Sequence, residues 1–325
     1  MQAPDFWRAG NGGWRACLLA PLGTVYGAMT AARARRSADW VAPVPVVCVG
    51  NVVAGGAGKT QVVLDLAERL TALGYKPHIL LRGYGGTITG PHLVDPKSDD
   101  ATRVGDEALL AAAASSVWVG ADRVASAKRA VEAGAEILIM DDGLQNPGLA
   151  KTLSFIVIDG TYGIGNGRCI PAGPLREPLA DALARSDAVI RIGNGDVALD
   201  TGALPIFEAS TVPSPSAPQL SGVKVVAFAG IGQPEKFFKT LERVGADVIA
   251  RHAFDDHRTY TVKDIEIISD EASRAGARLL TTTKDFVRIP ATARAKIEAY
   301  PVVLEWKDAD TLMTFVTGKL AKTDR

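Results

Sequence analysis

Cysteine is scarce in this sequence: its 325 residues hold three, Cys17, Cys48 and Cys169, far apart and in no metal-ligand spacing. That excludes a disulfide framework and suits a reducing compartment. Net charge is also absent, since 36 Lys and Arg balance 36 Asp and Glu. The balance gives no argument for nucleic acid as a partner. Repeats of solenoid period are missing. Long apolar runs are missing too. The longest candidate, residues 16–32, carries no charge but contains Pro21, Gly23 and Gly27, and at about 1.5 Å per residue it is marginal for ~30 Å of hydrocarbon.

What is present is enough apolar sequence for a sizeable core, 47% of the chain. The first forty residues are basic, with Arg8, Arg15, Arg33, Arg35 and Arg36 against Asp5 and Asp39. Arginines around an uncharged stretch with Leu18, Leu22, Val25 and Met29 describe a signal peptide or a helix lying in a membrane interface. About twenty residues later comes a glycine-rich run ending Gly58-Lys59-Thr60, a pattern typical of loops that bind nucleotide, and ATP is cytosolic, so the interface helix is expected. A helix packed on its own domain is the alternative.

From residue 43 the pattern is α/β. Apolar, β-branched runs recur at 44–49, 78–81, 117–119, 137–140, 155–158 and 188–192, separated by helix-length stretches with 3.6-residue spacing. Strands apolar throughout and separated by helices predict a parallel sheet covered on both faces. Residues 211–219, TVPSPSAPQ, read as a linker. Strands are again predicted at 223–228, 248–250, 278–282 and 302–304, with helices near 234–244 and 262–275. The expected organisation is a membrane-associating segment 1–40, a first α/β lobe 41–210, a linker 211–222 and a smaller α/β lobe 223–325.

The stretch VVCVGNVVAGGAGKT, ending at Thr60, is the most informative. A strand leads in and an amphipathic helix leads out. Across Val53, Ala54, Gly55, Gly56, Ala57, Gly58, Lys59 and Thr60 the glycines let successive N–H groups turn toward phosphate oxygens, and the helix N-terminus adds partial positive charge. Lys59 suits the β- and γ-phosphates of ATP, and Thr60 suits Mg²⁺. The loop is a variant, because Val53 stands where the P-loop pattern has glycine. The second half of such a site is an acid ending a buried strand, and EILIMDDG offers Asp141 and Asp142 to the metal or its water shell. Read alone, paired Asp before Gly is more often a turn or a helix cap, and the phosphate loop is what favours the metal reading.

With these motifs the chain resembles the tetraacyldisaccharide 4'-kinase family of Gram-negative bacteria. The resemblance runs through LLRGYGG at 80–86, VGDE at 104–107, GADR at 120–123, DDGLQ at 141–145, GNG at 165–167, PAGPLREPL at 171–179, AFAGIGQPEKFF at 227–238, FDDH at 254–257 and LTTTKD at 280–285. It departs at Asn146, where histidine is usual, at Ala108, where proline is usual, and at Thr283, where glutamate is usual. The resemblance implies a P-loop-type parallel sheet and transfer of the γ-phosphate of ATP, with Mg²⁺, to an acylated disaccharide phosphate lipid. It also implies a peripheral position on the cytoplasmic leaflet of the inner membrane. Asp106 matches the family's general base and His257 the partner that hydrogen-bonds it. Without the resemblance, Asp106 reads as a helix cap and His257 as a loop histidine. Arg82, Arg123 and Arg176 are candidates for phosphate contacts or for structural ion pairs. Gln145 is a candidate ligand of nucleotide or acceptor, with a strand-end polar cap as the alternative. Residues 163–173 are a candidate mobile loop near the acceptor. The competing functions are a membrane-surface switch ATPase, disfavoured by Ala54 where that class carries a lysine, and a kinase of a soluble metabolite.

Overall fold

The computed structural model describes residues 4–10, 12–193, 195, 199–256 and 258–321. Thirteen strands occur among them: β1 (Val46–Gly50), β2 (Pro77–Leu81), β3 (His92–Leu93), β4 (Ser116–Val119), β5 (Ile137–Asp141), β6 (Leu153–Asp159), β7 (Ala188–Ile192), β8 (Ile206–Pro213), β9 (Lys224–Ala229), β10 (Asp247–Ala253), β11 (Arg278–Thr282), β12 (Ile297–Tyr300) and β13 (Val302–Trp306). The larger sheet runs β13-β8-β7-β6-β1-β5-β2-β4-β3. Its seven inner strands are parallel, and the edge strands β3 and β13 are antiparallel. The smaller sheet, β10-β9-β11-β12, is all parallel.

Burial on both faces explains the continuous apolar runs. In β1, Val47 and Val49 join one core with Leu66 and Leu70 of the helix Lys59–Ala72 and Val316 of Ala309–Leu320. The alternate residues Val46 and Cys48 join a second core with Ala127 and Ala130 of the helix Arg123–Glu132. The smaller sheet repeats the scheme, with Phe237, Phe238 and Leu241 of Pro234–Arg243 on one face and Ile265 and Ile268 of Val262–Arg274 on the other. Each large side chain so buried contributes roughly 1.5–3 kcal/mol.

Two predicted boundaries shift. Residues 211–213, expected in a linker, finish β8. The strand at 302–304, expected in the C-terminal lobe, is β13, which pairs antiparallel with β8, Leu304 opposite Thr211. Pro301 separates β12 from β13, so the chain changes sheets there and returns to the larger one. A proline-rich run reads as a linker, yet Pro213 is tolerated because it closes a strand rather than interrupting one.

The helix Gly13–Ala34 continues through Pro21. Among the described residues no helix is long and apolar enough to cross a membrane. Ala16, Gly23, Gly27, Ala31 and Ala34 form its buried side. A Cβ on Gly23 would lie 2.6 Å from the Cys169 carbonyl oxygen, and one on Gly27 would lie 2.6 Å from Cys169 Sγ. Glycine is required there because the helix backbone rests on the segment after β6. The opposite side is an apolar stripe, Trp14, Leu18, Leu22, Val25 and Met29, each 59–71% exposed.

Candidate functional site

Strand β1 ends at Gly50, and the glycine-rich loop begins at once. Asn51 is fully buried and holds the turn, donating from Nδ2 to the Val53 carbonyl at 2.7 Å. Gly58 has φ +84, a left-handed conformation that favours glycine, and it caps the helix beginning at Lys59. The loop is also clamped from outside. Ala54 N–H donates to the Pro174 carbonyl at 2.8 Å, Arg176 N–H donates to the Val52 carbonyl at 2.7 Å, and Val53 bridges to Leu175. The PAGPLRE motif is therefore the outer wall of the glycine-rich loop.

Strand β5 lies beside β1 and carries the acids to the same edge. Thr60 Oγ1 donates to Asp141 Oδ2 at 3.1 Å, while the buried Asp141 Oδ1 has no hydrogen-bond partner among the described residues. Burial, with Glu107 nearby, pushes the Asp141 carboxyl up to about 7. Asp142 has φ 53, a conformation aspartate tolerates better than most residues. Its carboxylate takes Arg176 Nη1 at 2.9 Å on both oxygens and stands 3.4 Å from Lys59 Nζ. Burial pushes Asp142 upward, but Lys59 and Arg176 outweigh it and hold the group below the ordinary aspartate value. Lys59 Nζ also donates to Asn51 Oδ1 at 3.0 Å.

The chemistry of these donors fits Mg²⁺. A threonine hydroxyl and a carboxylate with a free oxygen meet at the mouth of the glycine-rich loop, and Mg²⁺ takes few protein oxygens, completing its shell with phosphate and water. Among the described residues no cluster of three His, Cys, Asp or Glu forms a metal cage.

The other expected residues divide. Arg123 is buried beneath the site; its Nη1 donates to the Gly120 carbonyl at 2.9 Å, and burial lowers it to about 10, so it remains charged. Gln145 donates to the Asn51 carbonyl at 3.0 Å and to Glu177 Oε1 at 2.9 Å, and Glu177 is held in turn by Arg185 at 2.6 Å. Its amide thus ties the glycine-rich loop to the segment after β6. Arg82 is exposed and lines the cleft between the two sheets. Asn146 Oδ1 accepts from Gly148 N–H at 2.8 Å and closes a local turn. Residues 163–173 are tied down: Asn166 donates to the carbonyls of Phe6 and Ala172 at 2.8 and 2.9 Å.

Asp106 is the first residue of the helix Asp106–Ala112, after the cap position Gly105, and it is buried. Its Oδ1 accepts from Glu107 N–H at 3.0 Å, and its Oδ2 takes the Nε of Arg288 at 2.6 Å as well as Nη2. Arg288 belongs to the other lobe, where it also donates to the Gly230 carbonyl at 2.7 Å and to Asp285 at 3.1 Å. Lys284 reaches Glu107 at 2.9 Å, and Lys236 pairs with Asp159 at the end of β6. These ion pairs join the two lobes across the cleft. His257 lies outside the described residues. Arg288, Lys284 and Asn51 were missed by sequence reasoning. Only Asn51 carries a local signal, as a polar residue directly after the first buried strand.

The cleft holds about 1700 Å³, more than the several hundred Å³ that one small ligand occupies. Its walls include Lys59, Thr60, Asp141, Asp142 and Arg176 from the larger sheet and Gln233, Lys236, Lys239, Arg243 and Lys284 from the smaller one. Tyr26, Thr30 and Arg33 of the N-terminal helix also line it.

The unpartnered Asp141 oxygen has a measurable consequence. A carboxyl raised from 3.8 to about 7 by folding stays protonated in the folded state over a range where the unfolded chain is ionised. Its cost to stability therefore grows as pH rises from about 4 to about 7 and is complete above that. In metal-free buffer Asp141→Asn should raise the melting temperature most at pH 8 and scarcely at pH 4, while abolishing Mg²⁺-dependent nucleotide binding. Thermal unfolding across pH with chelator present checks it; an Asn variant less stable at pH 8 would refute the assignment of strain to this carboxylate.

Comparison with known proteins gives consistent matches. A family model described as LpxK, tetraacyldisaccharide-1-P 4'-kinase, matches residues 15–321. A tetraacyldisaccharide 4'-kinase from Rhodospirillum centenum is 49% identical, over 100% of this chain and 98% of the relative. Another from Paramagnetospirillum magneticum is 51% identical, over 97% of each. Among solved structures, LpxK from Aquifex aeolicus, crystallised in complex with ATP, superposes with a TM-score of 0.74 at 24% identity, over 94% of this chain and 99% of that one. That likeness supports the fold: α/β, with a mainly parallel sheet.

Proposed function

Because the chain belongs to the tetraacyldisaccharide-1-P 4'-kinase family, we propose that the cleft between its two sheets is where that family's reaction takes place. The activity is ATP-dependent phosphorylation of the 4'-hydroxyl of a tetraacylated disaccharide 1-phosphate, a step of lipid A biosynthesis. The observation that carries the assignment to this cleft is the meeting of Thr60 and the free oxygen of Asp141 beside Lys59.

In this reading the N–H groups of residues 55–60 and the N-terminus of the helix Lys59–Ala72 bind the phosphates of ATP. Lys59 balances charge on the transferring group. Thr60 and Asp141 hold Mg²⁺, which when bound offsets the negative charge of the phosphates. Asp142, between Lys59 and Arg176, aims both cations. Asp106 takes the proton of the acceptor hydroxyl, with His257 as its partner. Arg123 and Gln145 act from behind, by fixing the carbonyls of Asp141 and Asn51. The two lobes, one built on β1–β8 and β13 and the other on β9–β12, close on the substrates.

Purified protein with ATP, Mg²⁺ and detergent-dispersed acylated disaccharide phosphate should place phosphate on the lipid. Equal phosphate release with water alone would favour a switch ATPase, and transfer to a deacylated sugar at the same efficiency would favour a soluble acceptor.

We also propose that the apolar stripe of the helix Gly13–Ala34 lies in the membrane interface on the cytoplasmic side. Its opposite face is packed on the protein, so the helix is both docked and available. The stripe offers apolar burial, and nearby arginines add roughly 1 kcal/mol each at an anionic surface. Leu18→Glu/Leu22→Glu/Met29→Glu should weaken flotation with anionic vesicles and raise the Michaelis constant for the lipid, leaving ATP affinity unchanged. Deleting the helix is the poorer test, because Cys169 and Pro178, against which it packs, flank the segment clamping the glycine-rich loop. Unchanged flotation of the triple variant would rule out this stripe as the anchor.

A further inference from the structure

The acceptor carries a phosphate on one sugar and, as the primed number states, receives the new one on the other. A cleft that handles it needs a second anion site apart from the glycine-rich loop. Most cations lining the cleft are already engaged: Lys59 and Arg176 with Asp142, Arg123 with backbone carbonyls, Lys236 with Asp159 and Lys284 with Glu107. Arg82 lines the cleft directly after β2, close enough to act on Arg123, which also feels Asp141 and Asp142, so it belongs to the nucleotide side. Lys239 and Arg243 stand on the helix whose Lys236 reaches Asp159, the end of β6, across β1 from Asp141. Arg33 lies elsewhere. Its helix rests on residues 169–178, whose Arg176 grips Asp142. It lines the cleft, is exposed, and makes no ion pair or side-chain hydrogen bond among the described residues, whereas its neighbour Arg35 pairs with Asp181.

Position along the helix adds a second, independent argument. The exposed apolar stripe ends at Met29, one turn before Arg33. Tyr26, Thr30 and Arg33, spaced four and three apart, form a polar ledge that turns from that stripe into the cleft. An amphiphile with its acyl chains along the stripe brings its sugars onto this ledge and its phosphate to the guanidinium, a planar fork suited to phosphate oxygens.

We infer that Arg33 is the recognition residue for the phosphate the acceptor already carries, with Tyr26 and Thr30 contacting its sugars. The inference rests on the kinase reading of the cleft. It makes the N-terminal helix part of the acceptor site as well as an anchor.

The test uses the full chain, ATP and two detergent-dispersed acceptors, the acylated disaccharide with and without its 1-phosphate. Wild-type protein should prefer the phosphorylated acceptor. Arg33→Ala should raise the Michaelis constant for that acceptor by roughly ten- to hundredfold, the worth of a lost charge-assisted hydrogen bond, and erase the preference. ATP affinity should stay unchanged, and Arg33→Lys should restore part of the preference. Arg36→Ala removes the same charge from the same helix end at a residue that does not line the cleft, and should leave the preference intact. Equal loss of preference in Arg33→Ala and Arg36→Ala, or an undiminished preference in Arg33→Ala, overturns the inference. Transfer by wild type to neither acceptor would overturn the kinase reading itself, an outcome distinct from the other two.

Discussion

Lys59→Ala should lower phosphoryl transfer about a thousandfold while leaving the protein folded. The loss corresponds to about 4 kcal/mol of transition-state stabilisation, the order expected when a preorganised cation at a transferring phosphoryl group is removed. The expectation of an intact fold comes from the surroundings of the lysine. Asp142, 3.4 Å away, keeps both of its hydrogen bonds from Arg176, so truncation leaves no buried carboxylate unpaired. Asn51 still holds the turn through the Val53 carbonyl. The loss should appear in kcat with lipid acceptor, with melting temperature and circular dichroism close to wild type. Near-normal turnover in a folded Lys59→Ala protein would remove the glycine-rich loop from the reaction.

That a single lysine stands out in the amino-acid sequence reflects how local the signal is. A strand, a glycine-rich turn and a helix are contiguous, and their backbone geometry follows from residues adjacent in sequence. The apolar strands are legible for the same reason: residues 188–192 and 278–282 are β7 and β11, because burial on both faces writes itself into consecutive residues. Sheet membership is not legible. Val302–Trp306 reads as a strand in either lobe, and only its pairing with β8 decides which. Strand β8, with its alternating exposure and terminal proline, carries too weak a pattern to compete with the proline-rich run that follows.

The site is legible in its acids and obscure in its cations. Asp141 ends an apolar strand, and that context marks it. Arg176 and Arg123 sit in motifs, but only three-dimensional contact separates an arginine that grips Asp142 from one that supports carbonyls beneath the site. Arg288 is the extreme case. Nothing near it in sequence distinguishes it from a helix-end arginine, yet it meets Asp106, 182 residues away, across the cleft. Long-range pairing of this kind leaves no periodic trace, so the sequence holds no sign that the expected base meets an arginine.

That pairing determines how the base must be tested, and Asp106→Asn is the informative change. It should lower kcat by roughly 10²–10⁴, the usual worth of a positioned general base, with little effect on ATP affinity. The amide oxygen still accepts from Glu107 N–H or from Arg288, whose guanidinium also keeps the Gly230 carbonyl and Asp285. Asp106→Ala is less clean, because removing one member of a buried pair commonly costs about 3–5 kcal/mol in stability, and lost activity would then report unfolding. If Asp106 and His257 act as one unit, adding His257→Ala to Asp106→Asn should lower kcat scarcely further, since the second group has no proton left to steer. Arg288→Gln separates structure from chemistry on the other side of the cleft. It should lower the melting temperature and loosen contact between the lobes, yet retain more turnover than Asp106→Asn, because the carboxylate is still present. Losses that multiply in the double variant would mean that the two residues act independently. Near-wild-type turnover in Asp106→Asn, or a greater loss in Arg288→Gln than in Asp106→Asn at equal folded fraction, would make the ion pair a strut between lobes and leave the acceptor's proton to another group.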